Sequence, residues 1–295
     1  MALTTPVSGR EPRSAGGRRR KRSGLGRAGS FLNNLPQPIA VLLVVIVVLA
    51  FWQLIVAVGG VSEIILPPPL AVIEEIGVVA VQLATGGFLL GQLWLTIQEI
   101  VLGFLLASAV GFLLGLWIGQ TRFGQRAVMP LFVVVEASPK IAFTPVFIAW
   151  FGFGISSKFL MAAFMSVFPV IINTAAGMSA ASEDEVKLFR SMRASSWDIF
   201  WKLRIMRALP FIFAGLKIAI VSAVTGAVAA EFIGGGVGFG EQVRVAASRI
   251  ALDRVFALIF YLSILGLILF GAISWAQRKF AFWDVTSITR KKEKK

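Results

Sequence analysis

From Pro38 to Gly60 the chain carries no charged residue. About 20 helical residues, each rising about 1.5 Å, cross the ~30 Å hydrocarbon core of a bilayer, so this run is long enough to span one. Within lipid the backbone must satisfy its own N–H and C=O groups, which confines such a run to a helix. Further apolar runs follow at Ile100 to Gly119, Val128 to Phe153, Phe159 to Ala176, Pro210 to Ile233 and Val255 to Trp275. The expected fold is an all-α polytopic membrane protein with about six transmembrane helices. Composition agrees: 57% of the 295 residues are hydrophobic, against roughly 45–50% in soluble domains. The basic Arg18 to Arg22 segment before the first run also suits a signal peptide, but the apolar run is too long for one and no small-residue cleavage motif follows.

The net charge of +14 would point to nucleic acid in a soluble domain. Here the basic residues sit in tails and short loops, where they set membrane orientation and meet anionic lipid, so no nucleic-acid partner is expected. Arg10, Arg13, Arg18 to Arg22 and Arg27 precede the first run, whereas Val61 to Gln92 holds Glu63, Glu74 and Glu75 and no base. Both termini are therefore expected in the cytoplasm, together with the Arg122/Arg126 turn and the polar stretch Ser179 to Leu209. Arg244, Arg249 and Arg254 run against this pattern, offset in part by Glu241 and Asp253.

The chain has no Cys and no His, which removes disulfides, thiol nucleophiles, Cys/His metal sites and imidazole acid–base chemistry. It also lacks a G-x-x-x-x-G-K-[ST] phosphate loop. No enzyme activity, resident metal or bound cofactor is expected. Two runs carry internal detail. Gly111, Gly115 and Gly119 form a small-residue stripe that lets another helix approach closely. The Val128 to Phe153 run contains Pro130, Pro139, Pro145, Glu136 and Lys140, so a kinked or broken span is expected, with Glu136 and Lys140 placed to pair on one helix face.

Ser182-Glu183-Asp184-Glu185 reads as a capping box that starts a helix at residue 183. Leu188 and Met192 then form an i, i+4 apolar pair. At Ala194-Ser195-Ser196 the pattern breaks, and either serine can cap a second helix through Trp197, Phe200, Trp201 and Ile205. Leu209-Pro210 is expected to close the loop and begin the fifth span, proline being welcome in a first helical turn. Two short helices joined by a tight turn suit docking to a soluble partner; they equally suit an interfacial helix resting on lipid headgroups.

The run Leu188-Phe189-Arg190-Ser191-Met192-Arg193-Ala194-Ser195-Ser196-Trp197, with Ala208-Leu209-Pro210 and Gly215-Leu216-Lys217, resembles the cytoplasmic EAA loop of binding-protein-dependent ABC importer permeases, nearest the nitrate/sulfonate/taurine-type branch. Also similar are Leu66-Pro67-Pro68-Pro69, Thr96 to Phe104, Ser138 to Pro145, Trp150-Phe151-Gly152-Phe153-Gly154, Ala230-Glu231 and Gly236-Val237-Gly238-Phe239-Gly240. The likeness covers roughly residues 38–280. It departs at Arg193, where the family has its loop glycine, at Met206, where it has the first of two closing prolines, and at Lys187-Leu188-Phe189, where it has E-A-A. The turn survives glycine loss if it needs no positive φ, while Arg193 alters the docking surface.

The resemblance implies a type I ABC importer permease fold. With composition making residues 1–34 an expected disordered basic cytoplasmic arm, 35–90 are expected to be the first span and an external segment, 91–280 the permease core with its coupling loop at 179–209, and 281–295 a basic cytoplasmic tail. The chain is then the pathway-forming subunit, paired with a second permease copy as a homodimer, with an ABC ATPase dimer that binds the ATP and with an extracytoplasmic substrate-binding protein. Coupling falls to Glu185, Leu188, Phe189, Met192, Arg193, Ala194, Ser195 and Trp197. Intramembrane charge is expensive and faces protein or water, which makes Glu136, Ser138, Lys140 and Glu231 the substrate-pathway candidates. Glu231 is read as a gate or binding-protein contact at the outer end of span five, or else as a simple helix-end charge. The Gly234 to Gly240 cluster reads as a flexible external turn. The cargo class includes sulfonates, nitrate, bicarbonate and aromatic or pyrimidine precursors. The rival is a secondary transporter or channel without an ATPase, which would show inverted repeats.

Overall fold

The computed structural model describes residues 36–60, 62 and 64–283. The basic arm and the tail beyond Trp283 lie outside the described residues. Helices are α1 (Gln37–Val58), α2 (Pro69–Ala84), α3 (Phe88–Gln120), α4 (Met129–Ala137), α5 (Thr144–Phe151), α6 (Ile155–Met178), α7 (Glu183–Ser191), α8 (Ser196–Gly234), α9 (Phe239–Ser248) and α10 (Leu252–Phe280). Among the described residues there is no strand. α1, α3, α6, α8 and α10 are each long and apolar enough to cross a membrane.

α3 and α6 pack through the glycine stripe. A Cβ built on Gly103, Gly111, Gly115 or Gly119 would lie 2.6–2.7 Å from the Cβ of Ala162, Val170, Thr174 or Met178 respectively. Each partner is 59 residues further along the chain, and this constant register means that α3 and α6 run parallel. A chain can pass between parallel helices only by crossing back in between. The return is the broken span: Gly124–Ala137 and Lys140–Phe151 bend by 85° about Ser138-Pro139. It therefore counts as one crossing, which brings the total to six.

α8 also packs on α6, with the reverse register. A Cβ on Gly226 would meet Ala162 Cα at 2.9 Å, and one on Gly215 would meet Asn173 Cβ at 2.7 Å. The core between these helices is built from small and medium residues: Ile100, Phe104, Ala162, Val170, Ala219, Ala223 and Ala227. Without a hydrophobic driving force inside lipid, close van der Waals contact between small residues is what holds such helices together. α1 stands apart, with no buried residue, its Trp52 ring 5.4 Å from Phe256 of α10.

The structure adds one helix and corrects one boundary. α2, within the segment read as external, is a helix opened by Pro69 and held against α10, where Arg254 bonds Glu75 and Gln82, both at 2.9 Å. Pro210 does not begin the fifth span, because α8 runs unbroken from Ser196 to Gly234 with Pro210 inside it. Wide π-type turns over Ile199–Ile205 come just before, and such local loosening lets a membrane helix absorb a residue that lacks an N–H.

Candidate functional site

The polar loop sits where α6 ends and α8 begins, and local chemistry sets its shape. Ser182 Oγ accepts from Glu185 N at 3.2 Å and Glu185 Oε2 accepts from Ser182 N at 3.0 Å, completing the expected capping box. Ser195 and Asp198 repeat it at 3.1 and 3.2 Å, which decides between the two candidate serines. Between the helices, Ala194 N donates to Phe189 O at 3.0 Å and Arg193 N to Arg190 O at 2.9 Å. This is the pair of bonds that closes a helix through a left-handed residue. Arg193 is that residue, at φ 59°. The turn therefore does need positive φ, contrary to the condition under which glycine loss is harmless, and Arg193 bears a cost of about 1–2 kcal/mol there.

Leu188, Met192 and Trp197 are 58%, 65% and 69% exposed, while Phe189 is half-buried and Ala194 intermediate. The large apolar side chains offered outward are thus Leu188, Met192 and Trp197 rather than Phe189. Glu185 forms an ion pair with Arg207 that ties α7 to α8. Bonds from the Ser182 backbone, and then from Arg207, hold the Glu185 carboxyl below its ordinary range. Trp197, Phe200 and Trp201 cluster with ring centroids 5.2–6.0 Å apart, one pair stacked and two edge-on, and Leu203, Ile205 and Ala208 further along α8 are buried. The loop is continuous with a helix that reaches the other end of the bundle.

At the break in the third span Glu136 and Lys140 do pair, but across the break and not along one helix, since α4 ends at Ala137. Lys140 Nζ also lies 3.5 Å from Met165 O and 5.5 Å from the Phe168 ring centroid. Ser138 Oγ turns back to Val135 O at 2.7 Å.

Glu231 lies in the last turn of α8 and is fully enclosed. Thr96 Oγ1 donates to it and Gly240 N donates to it at 2.6 Å. Phe239 N donates to Thr96 Oγ1 at 2.8 Å, and Gly238 N to Gln92 Oε1 at 2.5 Å. Lys158 donates to Val237 O and stands 3.9 Å from Glu99. The turn read as flexible is thus pinned by α3, α6 and α8. Gly238 adopts φ 113° there, and a Cβ on it would fall on the Glu231 carboxylate. The sequence reading missed Gln92, Thr96, Glu99 and Lys158. Glu99 and Lys158 lie immediately before Ile100 and Phe159, where the second and fourth apolar runs were cut. Ending a run at its first charge hides any charge that the helix carries inside. Arg244 and Arg254, which ran against the orientation pattern, are paired with Glu241 and Glu75.

A six-crossing bundle whose long polar loop is a capped helix–turn–helix continuous with a span defines a membrane transport permease. Residues 108–282 match the family described as binding-protein-dependent transport system inner membrane component, and the chain belongs to that family. It is 32% identical over 83% of its length to a probable ABC transporter permease protein of Haemophilus influenzae, covering 97% of that protein. It is 31% identical over 82% of its length to the putative aliphatic sulfonates transport permease SsuC of Bacillus subtilis, covering 86%. To the formylaminopyrimidine transport permease ThiX of Halalkalibacterium halodurans it is 35% identical over 60% of its length, covering 71%. The chain is an ABC transporter permease subunit, and no finding favours the secondary transporter or channel.

Proposed function

We propose that this chain forms the solute pathway of an importer in the cell membrane and takes its drive from a separate ATPase dimer through α7, the Arg193 turn and the start of α8. The observation that carries this reading is the loop's construction: two capping boxes and the Glu185–Arg207 pair stiffen a surface whose apolar side chains Leu188, Met192 and Trp197 remain exposed. Exposed apolar groups on a rigid helix pair suit a groove on a partner, and a rigid unit continuous with α8 passes displacement into the bundle. Glu185, Phe189, Ala194 and Ser195 hold this unit in shape, and Arg193 sets its turn.

Both termini, the Arg122/Arg126 turn and α7 then face the cytoplasm, in keeping with the positive-inside rule. An extracytoplasmic binding protein delivers cargo at the α2/α9 end, and a second copy of the chain completes the pathway. ATP is bound by the motor alone. A groove of about 680 Å³ between α8 and α10 is lined by Ile141, Phe232 and Phe270, and Lys140 at the break is already paired with Glu136. These features favour a small organic solute over an inorganic anion, and relatives named for sulfonate and formylaminopyrimidine transport include such cargo. A thermal-shift screen of the partner binding protein against organic solutes and nitrate tests the cargo. For coupling, Leu188→Asp with Met192→Asp is expected to abolish co-purification of the ATPase while leaving the elution profile of the permease unchanged. Undiminished recovery of the ATPase would sink the assignment.

A further inference from the structure

The pinned turn holds three ionisable side chains with almost no access to water. Glu99 and Glu231 are 0% exposed and Lys158 is 1% exposed. Their donors are unevenly shared. Glu231 receives Thr96 and Gly240. Lys158 gives its bond to Val237 O and stands 3.9 Å from Glu99, beyond hydrogen-bond range. The two oxygens of Glu99 receive no N–H or O–H donor from the described residues, although Thr96, one turn earlier on α3, bonds Glu231.

Two carboxylates and one ammonium leave one uncompensated negative charge in a dry site, which costs several kcal/mol unless something neutralises it. Among the described residues no further cation is at hand. From α3 the site is faced by Gln92, Thr96 and Glu99, from α6 by Lys158, from α8 by Glu231, and from the turn and α9 by the N–H groups of Gly238, Phe239 and Gly240. The next charges on α9, Glu241 and Arg244, pair with each other. A carboxylic acid supplies one donor and removes one charge, which answers both deficits together. We propose that the site binds one proton, held between Glu99 and Glu231, and that this proton is what allows the extracytoplasmic turn to close on α3, α6 and α8. No bond to carbon forms or breaks; the proton is taken from bulk water when the turn closes and returned to it when the turn opens.

The charge count makes a graded prediction. Replacing either glutamate by glutamine leaves one carboxylate opposite one ammonium, so no proton is required. Replacing Lys158 by methionine leaves two carboxylates with no ammonium, so a second proton is required. The measurement is the carbonyl stretch of protonated carboxyl groups in the infrared spectrum of the purified full chain in lipid at neutral pH. The wild type is expected to show a band that moves in D₂O, disappears in Glu99→Gln and in Glu231→Gln, and strengthens in Lys158→Met. Circular dichroism on each sample selects the variants that remain helical. Absence of the band from the wild type overturns the proposal, as does its survival in either folded glutamine variant. If both glutamine variants unfold, the Lys158→Met comparison decides: a band of unchanged strength overturns the proposal.

Discussion

At the loop end of the bundle, α7 and the first turn of α8 are held by serine–carboxylate pairs three residues apart, and their large apolar side chains stay exposed. At the opposite end, Gln92, Thr96, Lys158 and Glu231 come from three helices to hold the 237–240 turn, and all four are buried. Each capping interaction is worth about 1 kcal/mol and forms in water. Each buried donor or acceptor left without its partner costs about 1–3 kcal/mol. A surface that must meet another protein can be assembled from weak local bonds, because exposed groups lost from one bond find water. A turn closed inside the bundle has no such reserve, so its bonds stand or fall together.

The severest way to break this comparison is Gly238→Ala. The backbone at φ 113° disfavours any side chain and the added carbon meets the Glu231 carboxylate, so strain of about 1–3 kcal/mol adds to overpacking of about 1–3 kcal/mol. Thermal unfolding in detergent should fall sharply or folded protein be lost; an unaltered melting curve means the turn is not pinned. Next comes Gly115→Leu, which forces α3 from α6 at a 2.6 Å approach and should cost about 1–3 kcal/mol by overpacking. Its effect should appear in the melting temperature, with ATPase recovery retained by whatever protein folds. A destabilised loop alone would place the stripe elsewhere.

Smaller changes belong to the loop. Arg193→Gly removes a side chain from a left-handed position and should gain about 1 kcal/mol, seen as slower amide exchange over residues 189–194. Faster exchange there would mean that Arg193 contributes a contact outweighing its strain. Smallest is the titration of Glu185. The Ser182 backbone bond and then Arg207 hold its folded-state value below the ordinary carboxylate range, so its contribution is complete above the unfolded value and is lost as pH falls through the folded one. Limited proteolysis of the loop should be constant from neutral pH to about 5 and increase only in more acid solution. An increase already at pH 7 would assign the loop's order to other bonds.

The broken span was legible because Pro130, Pro139 and Pro145 punctuate one apolar run, and so were both helix starts of the loop. The broken span's count as one crossing was legible too, but the parallel course of the helices on either side of it was not. That course follows from the matched spacing of Gly103 to Gly119 against Ala162 to Met178, a register between two segments that no local pattern encodes. Among the residues proposed for coupling, exposure separated Leu188, Met192 and Trp197 from the half-buried Phe189. Periodicity placed Leu188 and Met192 on one face without saying which neighbour would cover it.

Hydropathy, charge placement and capping chemistry act over at most a few turns of chain, so the sequence by itself determined the membrane class, the apolar runs and the two helix starts of the polar loop. Burial acts between residues far apart, such as Thr96 and Glu231, 135 positions distant. Only the tertiary structure decided that Glu231 is enclosed, that Glu99 within α3 and Lys158 in the first turn of α6 are both buried, and that the glycine turn is fastened. A charge beside an apolar run reads the same whether water or another helix meets it, and the packing of α3, α6 and α8 decides which.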